Sequence, residues 1–215
     1  MALYPFWRYV VTPIYTMWLR ETRGINNIPR TPFIVAANHS SYYDTLLPHF
    51  LIIPITEKKM HAMVNANYWK IPVARQVLDH GECIPLYVRN EGNAKKKNEN
   101  SFEEALNYLK KGETVLMFPE GTRSFDGKLK KAHTGIARLA IKSKVPILPF
   151  GIIDSSKVLP KGKLFPRLRR CKVNIGKPIT LEKYYKKPLN KKVLENATRD
   201  IMEKIAKLIG QKYNY

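Results

Sequence analysis

The amino-acid sequence predicts an α/β fold: a single domain with a mixed, mostly parallel sheet flanked by helices, preceded by an N-terminal amphipathic helix at a membrane interface. Three observations support this prediction. The chain has 215 residues, of which 44% are hydrophobic, enough for one packed core. Apolar runs of strand length alternate with stretches of helical periodicity, as in α/β proteins. The first 23 residues differ from the rest because they are crowded with aromatic side chains.

The N-terminal segment, residues 1–23, is expected to contact a membrane surface, with residues 24–215 forming the globular domain. Amphipathic rings followed by cations favour the headgroup layer of a bilayer. The segment contains Tyr4, Phe6, Trp7, Tyr9, Tyr15 and Trp18, followed by Arg20 and Arg23. The alternative is a helix docked on the protein's own core through the apolar stripe Leu3, Trp7, Val10, Ile14 and Trp18. No stretch reaches the roughly 18 uninterrupted apolar residues of a membrane span.

The first half of the domain begins with the apolar run over residues 31–37, which predicts a buried strand. A helix is predicted over residues 41–51. Consecutive lysines within residues 90–100 predict a mobile loop. Ser101 is then expected to begin a helix, since Glu104 follows it at the spacing of a capping box.

The second half alternates in the same way. Strands are predicted over residues 114–118, 146–153 and 171–175, and a helix over residues 134–144. Asn190 is expected to cap the last helix. Its buried stripe is predicted to be Leu194, Ala197, Ile201, Ile205 and Leu208.

The charge of the chain is unusually positive. There are 38 Lys and Arg against 17 Asp and Glu, a formal net charge of +21. Residues 156–215 hold 17 of the cations and 4 of the acidic residues, a net charge of +13. Such an excess indicates a polyanionic partner (nucleic acid, an anionic membrane or an acidic carrier protein) or merely a solvated basic face. The two cysteines, Cys83 and Cys171, predict neither a disulfide scaffold nor a metal cluster.

The first candidate functional segment follows the strand over residues 31–37 and reads Asn38-His39-Ser40-Ser41-Tyr42-Tyr43-Asp44. Sites in α/β sheets gather where strands end. If His39 precedes the helix and Asp44 lies in its first turn, the carboxylate can hold one ring nitrogen and leave the other as a general base. Alternatively, Asp44 only caps its helix, because its spacing from Ser41 is that of a capping box. Spacing alone favours neither interpretation.

The second candidate segment follows the strand over residues 114–118 and reads Phe118-Pro119-Glu120-Gly121-Thr122-Arg123-Ser124. Glu120 can accept a hydrogen bond from a substrate hydroxyl, and the Arg123 guanidinium can clamp a phosphate with two parallel hydrogen bonds. The alternative is a surface turn closed by an ion pair.

Together the two segments resemble the signature motifs of the glycerolipid acyltransferases, and most of all the bacterial PlsC-like 1-acylglycerol-3-phosphate acyltransferases. Asn38-His39-x-Ser41-x-x-Asp44 is similar to the His-x4-Asp motif of that family. Residues 118–124 are similar to its second motif and follow in the family's order. Residues 24–29, 145–149 and 175–179 extend the resemblance, so residues 24–215 are identified as an acyltransferase domain with a basic C-terminal part.

The resemblance implies transfer of an acyl chain from a thioester of acyl-carrier protein or coenzyme A to the free hydroxyl of a lysophospholipid. The default acceptor is 1-acylglycerol-3-phosphate, which gives phosphatidic acid. His39 would be the base and Asp44 would orient it, with no covalent acyl-enzyme, cofactor or metal. The implied substrate-binding residues are Asn38, Ser41, Arg89, Glu120, Gly121, Thr122 and Arg123. Because Asn65 stands where family members often carry a Lys, another lysolipid or hydroxylated acceptor is an alternative.

Two other classes of function are compatible with parts of the sequence. The charge favours a nucleic-acid-binding protein, but the sequence contains no zinc-finger spacing or RNP-like strand, so no nucleic-acid partner is expected. A catalytically silent lipid-binding module is the third hypothesis. With the acyltransferase interpretation, we expect a peripheral protein on the cytoplasmic face of the cell membrane, held by its basic C-terminal part and its aromatic N-terminus.

Overall fold

A computed structural model describes residues 12–88, 92–160, 162–163 and 165–215. Seven strands in these residues form one sheet: β1 Leu19–Arg23, β2 Ile34–Ala37, β3 Met60–Asn65, β4 Ile84–Leu86, β5 Thr114–Met117, β6 Ile147–Ile153 and β7 Cys171–Ile175. Their order is β1-β7-β6-β2-β5-β3-β4. Neighbouring strands are parallel except β6 and β7, which are antiparallel. The predicted α/β class with a mixed, mostly parallel sheet is confirmed.

Helices cover both faces of this sheet. Within the described residues they are α1 Thr12–Thr16, α2 Leu47–Thr56, α3 Pro72–His80, α4 Ala94–Lys110, α5 Gly135–Ser143, α6 Ser155–Val158, α7 Glu182–Tyr185 and α8 Lys191–Leu208. Short 3-10 turns span Ile25–Asn27, Tyr42–Thr45 and Ala66–Lys70.

The core has two halves, one on each face of the sheet. On β2, Ile34 and Ala36 belong to the half covered by α4, α5 and α8, whereas Val35 and Ala37 belong to the half covered by α2 and α6. All four side chains are fully buried. A strand buried on both faces is continuously apolar, which explains why β2, β5 and β6 could be recognised from sequence alone.

Several predicted boundaries differ from the structure; the strand expected over residues 31–37, for example, begins at Ile34. The helix expected over residues 41–51 is divided into the Tyr42–Thr45 turn and α2. The mobile loop expected over residues 90–100 is wrong for residues 94–100, which form the start of α4. Asn98 holds this end of the helix on β4, since its side chain accepts from the Tyr87 amide and donates to the Tyr87 carbonyl, both at 2.8 Å.

Ser101 is consequently inside α4 and does not cap it. Its hydroxyl donates to the carbonyls of Pro85 and Lys97. The predicted cap of the last helix is present, because the Asn190 side chain accepts from the Val193 amide at 2.9 Å.

The N-terminal segment is only partly described. Residues 1–11 lie outside the described residues, and with them most of the expected interfacial helix. Residues 19–23, which we assigned to that segment, form β1 at the edge of the sheet, paired with β7. In the part of the chain that the structure describes, no helix has the length and apolar character needed to cross a bilayer.

We predict that Gly151→Ala loosens the contact between β6 and the end of α8. A Cβ at Gly151 would lie 2.7 Å from Leu208 Cβ and 2.9 Å from Ile209 Cγ2. The clash should lower the free energy of unfolding by about 1–3 kcal/mol, measured by chemical denaturation. Gly92→Ala is the control, because a Cβ there meets no atom within 4 Å. Equal effects of the two substitutions would contradict this account of the contact.

Candidate active site

The two candidate segments meet at the carboxyl edge of the sheet. β2 and β5 are parallel neighbours with Ala36 opposite Met117, so the loops that begin at Asn38 and Phe118 leave the sheet side by side. β6 flanks β2 on its other side, where Ala37 pairs with Phe150. This is the edge at which α/β proteins place ligands.

His39 and Asp44 are in contact. His39 Nδ1 lies 3.1 Å from Asp44 Oδ2, the histidine side chain is 13% exposed and the carboxylate is fully buried. Asp44 Oδ2 also accepts from the amides of Ser40 at 2.6 Å and Ser41 at 2.7 Å. With the Ser41 hydroxyl accepting from Tyr43, these bonds complete a capping box on the Tyr42–Thr45 turn. The structure contains both contacts on which the two interpretations rest: Asp44 caps its turn, and its carboxylate lies against the imidazole.

The imidazole is also held by stacking. The His39 ring lies on the Phe118 ring with centroids 4.2 Å apart and planes 25° from parallel. Nδ1 faces Asp44, and Nε2 has no hydrogen-bond partner among the described residues. A histidine oriented by a carboxylate with its second nitrogen open has the arrangement required of a general base.

Glu120 connects the two segments. Its Oε1 accepts from the His39 amide at 2.9 Å and its Oε2 accepts from the Lys130 amide at 2.8 Å. The residue is 4% exposed, and burial raises the pKa of its carboxyl from 4.5 to about 7. The sequence predicts that Glu120 accepts from a substrate hydroxyl; in the structure each of its oxygens already accepts from a main-chain amide. The carboxylate thus holds the two loops together.

Asn38 and Ser41 also differ from the expectation that they bind substrate. The Asn38 amide group donates to the Ile152 carbonyl at 2.9 Å and accepts from the Ile152 amide at 2.7 Å. The Ser41 hydroxyl donates to the Leu159 carbonyl at 2.7 Å. Both residues are buried. Their polar groups therefore join the His39 loop to β6 and to the chain after α6.

The accessible part of the second segment carries cations. Gly121 and Thr122 are exposed, and Gly121 has a φ of +68°, a conformation that favours glycine. The Arg123 guanidinium lies 3.4 Å from the centroid of the Tyr42 ring. Arg123 Nη1 is buried and has no hydrogen-bond partner within the described residues. Lys130 Nζ donates to the Arg123 carbonyl at 3.1 Å and the Thr122 hydroxyl at 3.3 Å, so two cations lie beside the same turn.

Arg89, which the sequence also predicts to bind substrate, lies outside the described residues.

Sequence reasoning missed two contributors to the site. The first is Lys130, although its position in a cluster of lysines soon after the second segment was a usable signal. The second is a pair of tyrosines whose rings stack with centroids 4.4 Å apart. The Tyr15 hydroxyl donates to the Tyr43 carbonyl, and the Tyr43 hydroxyl donates to the Tyr15 carbonyl at 2.6 Å. No local pattern could reveal this pair, because 28 residues separate its members.

The chain matches a protein-family model. The model of the family described as Acyltransferase matches residues 20–153, which include the His39 and Glu120 loops.

The chain is also similar to individual proteins. It is 26% identical over 151 residues to a chloroplastic 1-acyl-sn-glycerol-3-phosphate acyltransferase of Brassica napus, covering 69% of this chain and 41% of that protein. It is 28% identical over 153 residues to a chloroplastic 1-acyl-sn-glycerol-3-phosphate acyltransferase of Arabidopsis thaliana, covering 69% of this chain and 40% of that protein. The chain thus spans about two fifths of these relatives. The crystal structure of the 1-acyl-sn-glycerophosphate acyltransferase PlsC from Thermotoga maritima has the same fold, with a TM-score of 0.66, 23% identity, and coverage of 97% of this chain and 83% of that one.

We predict that Glu120 makes stability depend on pH. Its folded-state pKa of about 7 is above its ordinary value of 4.5, so the folded protein binds this proton more tightly than the unfolded chain does. The free energy of unfolding should therefore fall as pH rises between these values, by up to about 1.4 kcal/mol per pH unit. Glu120→Gln should flatten that slope in denaturation series across this pH range. Glu103→Gln, at an exposed position, should retain it. A wild-type slope in Glu120→Gln would contradict the assignment.

Proposed function

The chain belongs to the acyltransferase family, and from that premise we propose that it transfers a fatty acyl chain from an acyl thioester to the free hydroxyl of 1-acylglycerol-3-phosphate, producing phosphatidic acid. The observation that carries the proposal is the His39 imidazole, with Nδ1 on the Asp44 carboxylate and Nε2 open at the carboxyl edge of the sheet. The names of the relatives, all 1-acylglycerol-3-phosphate acyltransferases or their equivalent, support the same acceptor.

In the proposed reaction, His39 Nε2 takes the proton of the acceptor hydroxyl as the oxygen attacks the thioester carbonyl carbon. The new ester bond forms, the carbon–sulfur bond breaks, and the thiolate leaves with the proton that His39 returns to it. Asp44 stabilises the imidazolium during the transfer and keeps the proton on Nδ1 in the resting state. The acyl chain moves directly between substrates, so no enzyme nucleophile is required.

The phosphate of the acceptor is assigned to the turn that carries Arg123. Arg123 Nη1 is buried without a hydrogen-bond partner among the described residues, and such a donor is stabilised by an anion. Lys130 adds a second cation beside the same turn. The Glu120 carboxylate bonds the main chain of both His39 and Lys130, so it fixes the general base relative to these cations.

A second candidate acceptor is another lysolipid. Asn65 stands where the resemblance leads one to expect a lysine, and its side chain accepts from the Asn67 amide at 2.9 Å, capping the turn that follows β3. This side chain is engaged in the fold and adds no positive charge for a headgroup.

The proposed donor is an acyl-carrier protein or coenzyme A thioester, and the proposed location is the cytoplasmic face of the cell membrane.

We predict that His39→Ala reduces kcat by about 100- to 10,000-fold while the protein stays folded. The imidazole can be removed with little cost because the Asp44 carboxylate keeps its bonds to the amides of Ser40 and Ser41. Release of free thiol in the presence of acceptor measures the rate, and a thermal melt checks folding. His80→Ala, at an exposed position, should keep full activity. Undiminished transfer by folded His39→Ala would refute the proposed function.

We predict that Arg123→Gln raises KM for 1-acylglycerol-3-phosphate by about 10- to 100-fold, the effect of losing a charge-assisted hydrogen bond. KM for a neutral monoacylglycerol should not change, since it has no phosphate to bind. Arg75→Gln, on the exposed helix α3, is the matched control for loss of one guanidinium. Equal effects on both acceptors would remove Arg123 from the phosphate site.

Mass spectrometry of products from a panel of lysolipids decides between the two candidate acceptors.

A further inference from the structure

We propose that the loop of residues 165–170 inserts Phe165 and Leu168 into an anionic bilayer and thereby holds the active site against the lipid. The loop reads Phe165-Pro166-Arg167-Leu168-Arg169-Arg170 and lies between α6 and β7. The inference rests on the proposed function, because it assigns the surface on which a lipid acceptor would be met.

The loop combines two apolar side chains with three cations. Phe165 is 82% exposed and Leu168 is 98% exposed. Arg167, Arg169 and Arg170 are exposed as well, and the loop contains no acidic residue. A single exposed apolar side chain requires no explanation, but two that alternate with arginines match the composition of a surface that lies in a headgroup layer. The cations would contact lipid phosphates while the apolar groups enter the hydrocarbon.

The base of the loop is bonded to the chain that supports the Tyr42–Thr45 turn. The Arg167 amide donates to the Val158 carbonyl at 2.7 Å. The next residue, Leu159, accepts the hydroxyl of Ser41, which lies inside the capping box of Asp44. The loop is therefore connected to the His39 site through main-chain and side-chain hydrogen bonds rather than through a flexible tether.

The loop is also continuous with the aromatic N-terminal segment. Trp18 Nε1 donates to the Arg167 carbonyl at 3.0 Å, and the Trp18 carbonyl accepts from the Cys171 amide at 2.8 Å. Met17, beside Trp18, is 65% exposed. The described end of the segment that the sequence assigns to a membrane interface thus lies against the base of the loop. This continuity favours a bilayer over an acidic carrier protein as the occupant of the surface.

The test measures binding to vesicles made of equal parts of phosphatidylcholine and phosphatidylglycerol by sedimentation, without acyl donor. The double variant Phe165→Ser/Leu168→Ser should bind about 10- to 100-fold more weakly than the unaltered protein, because two apolar side chains no longer enter the hydrocarbon. Val73→Ser/Val77→Ser is the matched control. It also removes two exposed apolar side chains, 74% and 56% exposed, but from α3. It should bind as the unaltered protein does.

Activity supplies a second measurement. The Phe165→Ser/Leu168→Ser protein should show a raised KM for acceptor embedded in vesicles and an unchanged rate with a short-chain, water-soluble acceptor. His39→Ala should bind vesicles normally, so a failure of the proposed function would leave the binding result interpretable. Unchanged vesicle binding by Phe165→Ser/Leu168→Ser would overturn the proposal, as would an equal loss in the α3 variant. If binding were unchanged but transfer from acyl-carrier protein alone were lost, the loop would be a protein-docking surface and the bilayer assignment would be wrong.

Discussion

The Glu120 carboxylate accepts one hydrogen bond from each of two loops, and the geometry of the site depends on that bridge. Without this bridge, the His39 and Lys130 amides would lose their hydrogen-bond acceptors in a part of the protein largely closed to water. Each amide left unpaired would lower the free energy of unfolding by about 1–3 kcal/mol. The bridge is itself made at a cost, since burial opposes the charge of the carboxylate and raises its pKa. The two oxygens of the carboxylate hold the His39 and Lys130 amides at a defined separation. The bridge therefore holds the His39 loop beside Lys130 and the turn that carries Arg123.

The sequence was sufficient for strands with a regular apolar pattern and insufficient where polar side chains interrupt that pattern. β7 is buried only at alternate residues and was predicted as readily as the fully buried β2. β2, β5 and β6 are covered on both faces, and apart from Thr114 at the start of β5 they are apolar throughout. β1 at the sheet edge reads Leu-Arg-Glu-Thr-Arg, with no apolar periodicity that would reveal a strand. β3 contains fully buried His61, whose ring nitrogens lie 3.0 Å from the Glu82 carbonyl and 2.8 Å from the Glu113 carboxylate. Such partners are remote in sequence, so a polar residue in a buried strand cannot be recognised locally.

The same limit separates the predicted site residues from the observed ones. The contact of His39 with Asp44 spans five residues, and local geometry was enough to anticipate it as one of two interpretations. Asn38 and Ser41 were expected to face substrate, yet their partners at Ile152 and Leu159 lie 114 and 118 residues away. Polar residues next to a candidate catalytic histidine can serve either the substrate or the fold. The choice is decided by long-range contacts, which in this protein favour the fold.

The reciprocal bonds of Tyr15 and Tyr43 bear on how the chain should be shortened for experiments. Tyr15 belongs to the residues ahead of β1, whereas Tyr43 precedes Asp44 in the Tyr42–Thr45 turn. Deleting everything before β1 to obtain a protein free of its aromatic segment would also remove the ring on which Tyr43 is stacked. If such a truncated protein were inactive, loss of attachment to the membrane surface could not be told apart from loss of order in the Tyr42–Thr45 turn. Boundaries placed ahead of Thr12 leave this support intact and keep the two effects separable.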